Sequence, residues 1–413
     1  MKGERVRMAK DSGSATEAER ATLARTAMRF VVLLGVVSLF GDMTYEGARS
    51  ITGPFLAVLG ASAAVTGFVS GLGELMGYGV RIASGYLTDR TGGYWAITIV
   101  GYFVNLLAVP LLALAGNWQV AAALIVAERL GKAIRTPARD VMLSHATTQM
   151  GRGWGFGIHE ALDQVGATLG PLIVAGVLYL RGGFAASFGI LLIPALLALS
   201  VLGVARWLYP QPRDMEVRVA SSATAEGKGL SRVFWLYLAF VAVSVAGYAN
   251  FQLISYHFEA SSVIPVVQIA LFFALAMGID AVVALVTGRL FDRIGLLVLV
   301  AVPLLSLPIA PLAFSVNYGA ALVGVVLWGA VMGIQESTMR AAIAGMIPVA
   351  RRGSAYGIFN AAYGFAWFLG SAVMGALYDV GIGYLVAFSI ALELVSLPLL
   401  FAVRRETGRA RSQ

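Results

Sequence analysis

Twelve apolar runs follow one another along this 413-residue chain, most of them close to the ~20 residues that an α-helix needs to cross the hydrocarbon core of a bilayer. They fall at roughly 28–58, 62–87, 95–115, 119–143, 153–180, 184–208, 234–258, 263–290, 296–315, 319–346, 354–378 and 383–403. Lipid supplies no hydrogen-bond partners, so a spanning segment must satisfy its own backbone as a helix or as a strand of a closed barrel. Runs of this length are too long for barrel strands, which take about 9–11 residues. The expected fold class is therefore an all-α polytopic membrane protein. Composition agrees: the chain is 59% hydrophobic and 13% charged, against about 25% charged in soluble domains, and its mean hydropathy is +0.81. Residues 1–26 are polar and the first apolar run continues too long for a cleavable signal peptide. With no Cys and three scattered His, no disulfide, thiolate metal site, metal centre or other cofactor is expected.

The longest polar insertion, at 209–232, separates six spans from six. The expected organisation is a segment 1–27, a six-helix bundle 28–208, a linker 209–233, a second bundle 234–403 and a tail 404–413. The net charge of +8 follows membrane topology rather than nucleic-acid binding. With the N-terminus inside, the cytoplasmic side receives Lys2, Arg5, Arg7, Arg90, Arg139, Arg152, Arg293, Arg351, Arg352 and the tail arginines, and the outside only Arg181. Both termini are thus expected on the cytoplasmic side of the inner cell membrane. The halves resemble each other. "GYLTDRTG" (85–92) returns as "GRLFDRIG" (288–295), 203 residues later, and "RGWGFGIHEALDQVGATLG" (152–170) as "RGSAYGIFNAAYGFAWFLG" (352–370), 200 later. A repeat in register with the spans predicts two homologous bundles, an arrangement used for alternating access around a midplane site.

"GYLTDRTGGYW" resembles the G-x-L-x-D-R-x-G loop between helices 2 and 3 of the major facilitator superfamily. With twelve spans, a central linker and the second copy, the resemblance covers essentially the whole chain. It implies that Gly85, Asp89, Arg90 and Gly92, echoed by Gly288, Asp292 and Arg293, form a gating motif, Asp89 and Arg90 latching the cytoplasmic face when the outside is open. The usual basic pair at the end of the signature is here Gly93 and Tyr94. Read without the family, the stretch is a tight turn carrying a topogenic Arg. Gly157, Gly166, Gly170-Pro171 and Gly176 look like the antiporter signature of facilitator-type exporters, with Val174 and Ala175 where the family has a Gly pair; small-residue packing is the competing explanation. "ERLGKAIRTPARD" (128–140) resembles an exporter-like subgroup of bacterial permeases with G-K-x-I-R-T-x-x-R-D on helix 4. The family implies a monomer that moves a small molecule, energised by a proton gradient and without a cofactor.

Charges inside the apolar runs supply the candidate site. A charged side chain at mid-bilayer costs at least ~2.5–3.5 kcal/mol, yet the first span carries Asp42, Glu46 and Arg49 at i, i+4 and i+7. They share one face, which must look onto something other than lipid. Gly53-Pro54 continues that face and reads as a bend in helix 1. Glu74, Tyr78 and Arg81 repeat the spacing on the second span. The fourth carries Glu128, Arg129, Lys132, Arg135 and Arg139, and the fifth His159, Glu160 and Asp163. Six acids (Asp42, Glu46, Glu74, Glu128, Glu160, Asp163) oppose five bases (Arg49, Arg81, Arg129, Lys132, Arg135), as a desolvated network should. The C-terminal half is sparser. It offers Asp280, Glu336 with Arg340, and Glu393, together with the polar Asn250, Gln252, Gln335 and Asn360.

From these we expect a proton-coupling set of Asp42, Glu46, Arg49, Glu74, Glu128, Arg129, Lys132, His159, Glu160, Asp163 and Asp280. The substrate cavity is expected to use Tyr45, Tyr78, Asn250, Gln252, Gln335 and Asn360. Arg81, Arg135 and Arg139 admit a second explanation as snorkelling residues near helix ends, His159 as a packing histidine, and Glu336–Arg340 as a helix-end pair. Three functional readings follow: a proton-coupled exporter of a small organic solute, a symporter importing an organic anion, and a transport-inactive receptor or assembly protein. No Ser/His/Asp order, metal cluster or phosphate loop points to an enzyme.

Overall fold

In the computed structural model, residues 17–147, 152–212, 230–347 and 351–412 are described, and among them every regular element is helical. Single helices make passages one to five: α1 (Glu17–Val58), α2 (Ala63–Thr91), α3 (Tyr94–Leu111), α4 (Trp118–Thr147) and α5 (Arg152–Tyr179). The sixth is α6 (Gly183–Ile190) running into α7 (Leu192–Leu208). In the second half, α8 (Arg232–Gly247) and α9 (Phe251–Ala260) share one passage and α10 (Val266–Ile294) is the next. α11 (Ala301–Ser306) and α12 (Ile309–Ala313) share the ninth. α13 (Tyr318–Ile334) passes through a π turn (Gln335–Met339) into α14 (Arg340–Met346); α15 (Arg352–Val380) and α16 (Ile382–Ser412) complete twelve. Most of the linker expected at 209–233, namely 213–229, lies outside the described residues.

Among the described residues, nine helical stretches are long and apolar enough to cross a membrane, and one of them, Val266–Ala313, is 48 residues and folds as two passages. α2 and α4 are not among the nine. They carry Glu74, Arg81, Glu128, Arg129, Lys132, Arg135 and Arg139, whose cost in lipid has to be met by partners inside the protein. Large apolar side chains such as Phe103, Trp207, Leu304 and Phe401 stand exposed, as a lipid-facing surface requires. Buried apolar side chains sort by half. One cluster draws nearly all its members from Phe234 to Val403, and two others draw theirs almost entirely from Ala27 to Ala205.

The internal repeat is visible in the backbone. α2 and α10 are each 29 residues long and are displaced by 203 positions at both ends. Each is followed by a glycine at positive φ, Gly92 (61°) and Gly295 (60°). α5 and α15 begin at Arg152 and Arg352, 200 apart. Three local features differ from the sequence expectations. The signature around Gly85, Asp89 and Arg90 is not a loop but the last two turns of α2, because only Gly92 leaves helical geometry; its N–H closes the helix on Thr88 O. Gly288, Asp292 and Arg293 likewise lie within α10. The seventh span, expected as one helix over 234–258, breaks after Gly247, and Asn250 Oδ1 caps the restart by accepting from Leu253 N at 2.8 Å.

The two halves meet along α1–α9, α2–α15 and α5–α10. At the end of the bundle away from the termini these contacts are backbone-close. A Cβ on Gly53 would collide with Gln252 O and Ser255 Oγ of α9, and one on Gly375 would lie 3.1 Å from Gly67 Cα. Gly53, expected as part of a bend, is therefore the point where α9 rests on α1. Tyr256 Oη also crosses between halves, donating to Ala61 O at 3.1 Å.

Candidate functional site

A cavity of about 1050 Å³ lies between the halves. Besides mid-helix residues of α1, α2 and α15, its lining comes from the C-terminal half of α4, the N-terminal half of α5, the C-terminal half of α10 and the π turn after α13. These last four stretches lie toward the end that carries the chain termini, so the cavity opens there and is closed at the other end.

Helical phase on α1 aims Asp42, Tyr45, Glu46 and Arg49 into this space, and all four are buried. Arg49 sits at the centre of the charge network. Its Nη1 lies 3.4 Å from Glu46 Oε1 and its Nη2 3.1 Å from Glu74 Oε1 on α2. The same Glu74 oxygen lies 3.5 Å from Arg129 Nη2 on α4, and Arg129 Nε is 3.3 Å from Glu128 Oε2. Glu128 faces away from the main cavity: Asn105 Nδ2 of α3 donates to its Oε1 at 2.8 Å and to its backbone carbonyl at 2.9 Å. Five alternating charges from three helices thus form a chain in which each ion is paired, the condition for tolerable burial.

A second group lies beside it. The Tyr45 hydroxyl donates to Asp42 Oδ1. Lys132 Nζ stands 3.9 Å from the Tyr45 ring centre, and Arg135 is sandwiched against Tyr102 (4.1 Å) and Tyr45 (5.8 Å), within cation–π range. Arg135 is fully buried, which rules out the snorkelling explanation for it. His159 Nδ1 lies 3.4 Å from Asp163 Oδ2, one turn along α5. Arg139 pairs with Asp140 at 2.9 Å and its Nη1 donates to Ser38 Oγ at 3.0 Å.

Asp42 and Asp163 can face each other because α1 and α5 pack almost backbone to backbone. A Cβ on Gly166 would lie 3.1 Å from Asp42 Cβ, and one on Gly170 would lie 2.9 Å from Gly47 N. Gly157 of the same motif lines the open cavity with nothing within 4 Å of that position. Pro171 lies inside α5.

From the other half come Asp280, Glu336, Arg340 and Trp367, facing Glu160 and Tyr78. Glu336 and Arg340, spaced as a helix-end pair, make no ion pair within 4.0 Å among the described residues; both line the cavity beside the π turn. Four residues expected in the substrate cavity are not in its lining. Asn250 is a helix cap, Gln252 borders a small separate void of about 20 Å³, and Gln335 Oε1 accepts from Tyr363 Oη at 3.0 Å. Asn360 lies elsewhere on α15, partly buried. Asp89, Arg90, Asp292 and Arg293 are exposed at helix ends and make no ion pair among the described residues. Asp140, Gln164 and Trp367 also join the lining, outside the set expected from the sequence. Asp140 follows Arg139 directly, and adjacency hides a partner that helical spacing would have flagged.

Among the described residues, twelve helical passages in two repeated sets around a charged central cavity define the architecture of a membrane transporter. The sequence profile of the Major Facilitator Superfamily matches residues 32–371, and the chain belongs to that family. Protein Rv2265 of Mycobacterium tuberculosis is 45% identical over 385 residues, covering 92% of this chain and 94% of its own. The MFS-type transporter MJ1317 of Methanocaldococcus jannaschii is 25% identical over 388 residues, covering 91% and 96%. Among solved structures, the peptide transporter POT superposes with a TM-score of 0.71 at 16% identity, covering 92% of this chain and 95% of that one. That similarity speaks for the fold alone. The protein is thus a multi-pass membrane transporter.

Proposed function

We propose that the chain is a proton-coupled exporter of a small organic solute, with both termini on the cytoplasmic side of the inner membrane. The Lys and Arg distribution supports that orientation, under which the cavity is open inward. The observation that carries the coupling is the setting of Asp42. It is buried, lines the cavity and accepts a hydrogen bond from the Tyr45 hydroxyl, and Lys132 stands over the face of the same ring. Glu46 is engaged with Arg49, which leaves Asp42 as the carboxylate freer to exchange a proton. A shift of α4 relative to α1 within the first half, accompanying the movement of the halves, would change the distance from Asp42 to Lys132, and with it the relative stability of the protonated and charged carboxyl. Glycine packing of α5 on α1, in a motif like that of exchangers, supports export over import.

A thermal-shift screen of the purified protein over metabolites and drugs supplies a ligand. Proteoliposomes with an imposed pH gradient and a fluorescent pH reporter then read direction and coupling. Addition of the ligand should dissipate the gradient in the antiport sense. Asp42→Asn should abolish that response, with Glu46→Gln as the comparison. Unchanged coupling in both variants would sink the assignment, and uptake that requires an inward proton gradient would favour the import reading.

A further inference from the structure

Although the chain carries a net charge of +8, the cavity wall is acidic. Eight carboxylates line it (Asp42, Glu46, Glu74, Asp140, Glu160, Asp163, Asp280 and Glu336) against six Arg and Lys. The imbalance is local. On the α1–α2–α4 side, Glu46, Glu74 and Asp140 have an Arg within 4.0 Å, and on α5 Asp163 has His159. Glu160 of α5, and Asp280 and Glu336 facing it from the C-terminal half, make no ion pair within 4.0 Å among the described residues. Yet Asp280 and Glu336 each sit close enough to the other and to Glu160 for mutual repulsion. The only base from the C-terminal half in the lining is Arg340; it hydrogen-bonds to Tyr78 and attracts Glu336 from beyond ion-pair distance.

Asp280 supplies an independent observation. It is 2% exposed and belongs to the lining, and its Oδ1 has no hydrogen-bond partner among the described residues. A buried carboxylate without a partner costs several kcal/mol, so it is neutralised either by a proton or by a cation that enters the cavity. Tyr78 and Trp367 line the same space, and aromatic faces attract an organic cation. We infer that the cargo carries a positive charge, its cationic group seated among Asp280, Glu336 and Glu160 with its apolar body against Tyr78 and Trp367. The volume of about 1050 Å³ accommodates a drug-sized cation.

The inference rests on the central cavity being the cargo site, but on neither direction nor coupling. Its test is equilibrium binding to the full chain in nanodiscs, with tetraphenylphosphonium and tetraphenylborate as probes of nearly equal shape and opposite charge. The phosphonium should bind at least about tenfold tighter than the borate. Asp280→Asn should weaken phosphonium binding by about tenfold, and Glu336→Gln and Glu160→Gln by about threefold each. The last two side chains are exposed to the cavity, so those variants read the site even where Asp280→Asn fails to fold. Equal or tighter borate binding, no binding of either probe, or phosphonium binding unchanged in all three variants overturns the inference. The last of these is the outcome if Asp280 holds only a proton. Unchanged proton coupling in Asp42→Asn and Glu46→Gln with intact phosphonium binding counts against the exchange reading and leaves this one standing.

Discussion

The carboxylate of Asp379, at the end of α15, caps the start of α2 at Ala63 in the other half of the protein. Its Oδ1 accepts from Ala63 N at 3.1 Å and its Oδ2 from Ala64 N at 2.9 Å. Ser62 Oγ takes Val65 N at 3.2 Å and Ser62 O takes Thr66 N. Three of the amides that a helix start leaves unpaired, at Ala63, Ala64 and Val65, are therefore satisfied, two of them by an anion where the helix dipole favours one. The cap joins the two halves at the closed end of the cavity.

Asp379→Ala should accordingly favour the alternative state in which that end opens. A lost helix cap costs about 1 kcal/mol, equivalent to about a fivefold shift in population. The chain has no Cys, so a single Gln252→Cys, buried beside Gly53, reports opening cleanly. Its labelling by a membrane-impermeant maleimide should speed up severalfold in the Asp379→Ala background. An unchanged rate would show that the cap does not bias the equilibrium.

The glycines of the α5 motif divide by what surrounds them. Gly170→Ala places a methyl against Met43 O and 2.9 Å from Gly47 N; such overpacking costs about 1–3 kcal/mol and pushes α1 away from α5. Gly157→Ala meets nothing within 4 Å and should be neutral or slightly stabilising, since Ala is the better helix former. Thermal unfolding of both variants in detergent checks this, with loss of stability expected for Gly170→Ala alone.

Much of this arrangement was legible before any coordinates, for physical reasons that also set the limits. Period 3.6 put Asp42, Glu46 and Arg49 on one face, because a rigid helix fixes relative directions along itself. It says nothing of partners on other helices, and the Arg49–Glu74 and Arg129–Glu74 pairs depend on packing between spans. Asn250 read as a cavity residue because the apolar run continues through it. The backbone instead breaks at Gly247, and the amide becomes a cap. Glu336 and Arg340 looked like a helical i, i+4 pair, but the π turn at Gln335–Met339 changes the rotation per residue and turns both toward the cavity.

The two copies of the signature end differently. Gly92 sits at φ 61°, ψ 12° and Gly295 at φ 60°, ψ −139°. The first is the left-handed helical region, where a Cβ costs about 1–2 kcal/mol. The second lies near a region occupied almost only by glycine. Gly295→Ala should therefore destabilise the protein more than Gly92→Ala, although the sequence context is shared. Paired thermal unfolding measurements check the order, and equal losses would contradict it.

The charge chain through Glu74 gives the sharpest test of how the buried ions are kept. Glu74 Oε1 is shared by Arg49 and Arg129, so Glu74→Gln leaves Arg49 with Glu46 and Arg129 with Glu128 but removes the link between them. Removing one member of a buried ionic group costs about 3–5 kcal/mol, and each remaining pair moderates that here. Arg49→Met, in contrast, leaves Glu46 without an ion pair within 4.0 Å among the described residues, and Glu74 with Arg129 alone. The expected order of thermal stability is wild type, then Glu74→Gln, then Arg49→Met. In the double variant Arg49→Met/Glu46→Leu the stranded carboxylate is gone, and stability should recover part of the Arg49→Met loss. A double variant less stable than Arg49→Met alone would show that Glu46 is held by something other than Arg49.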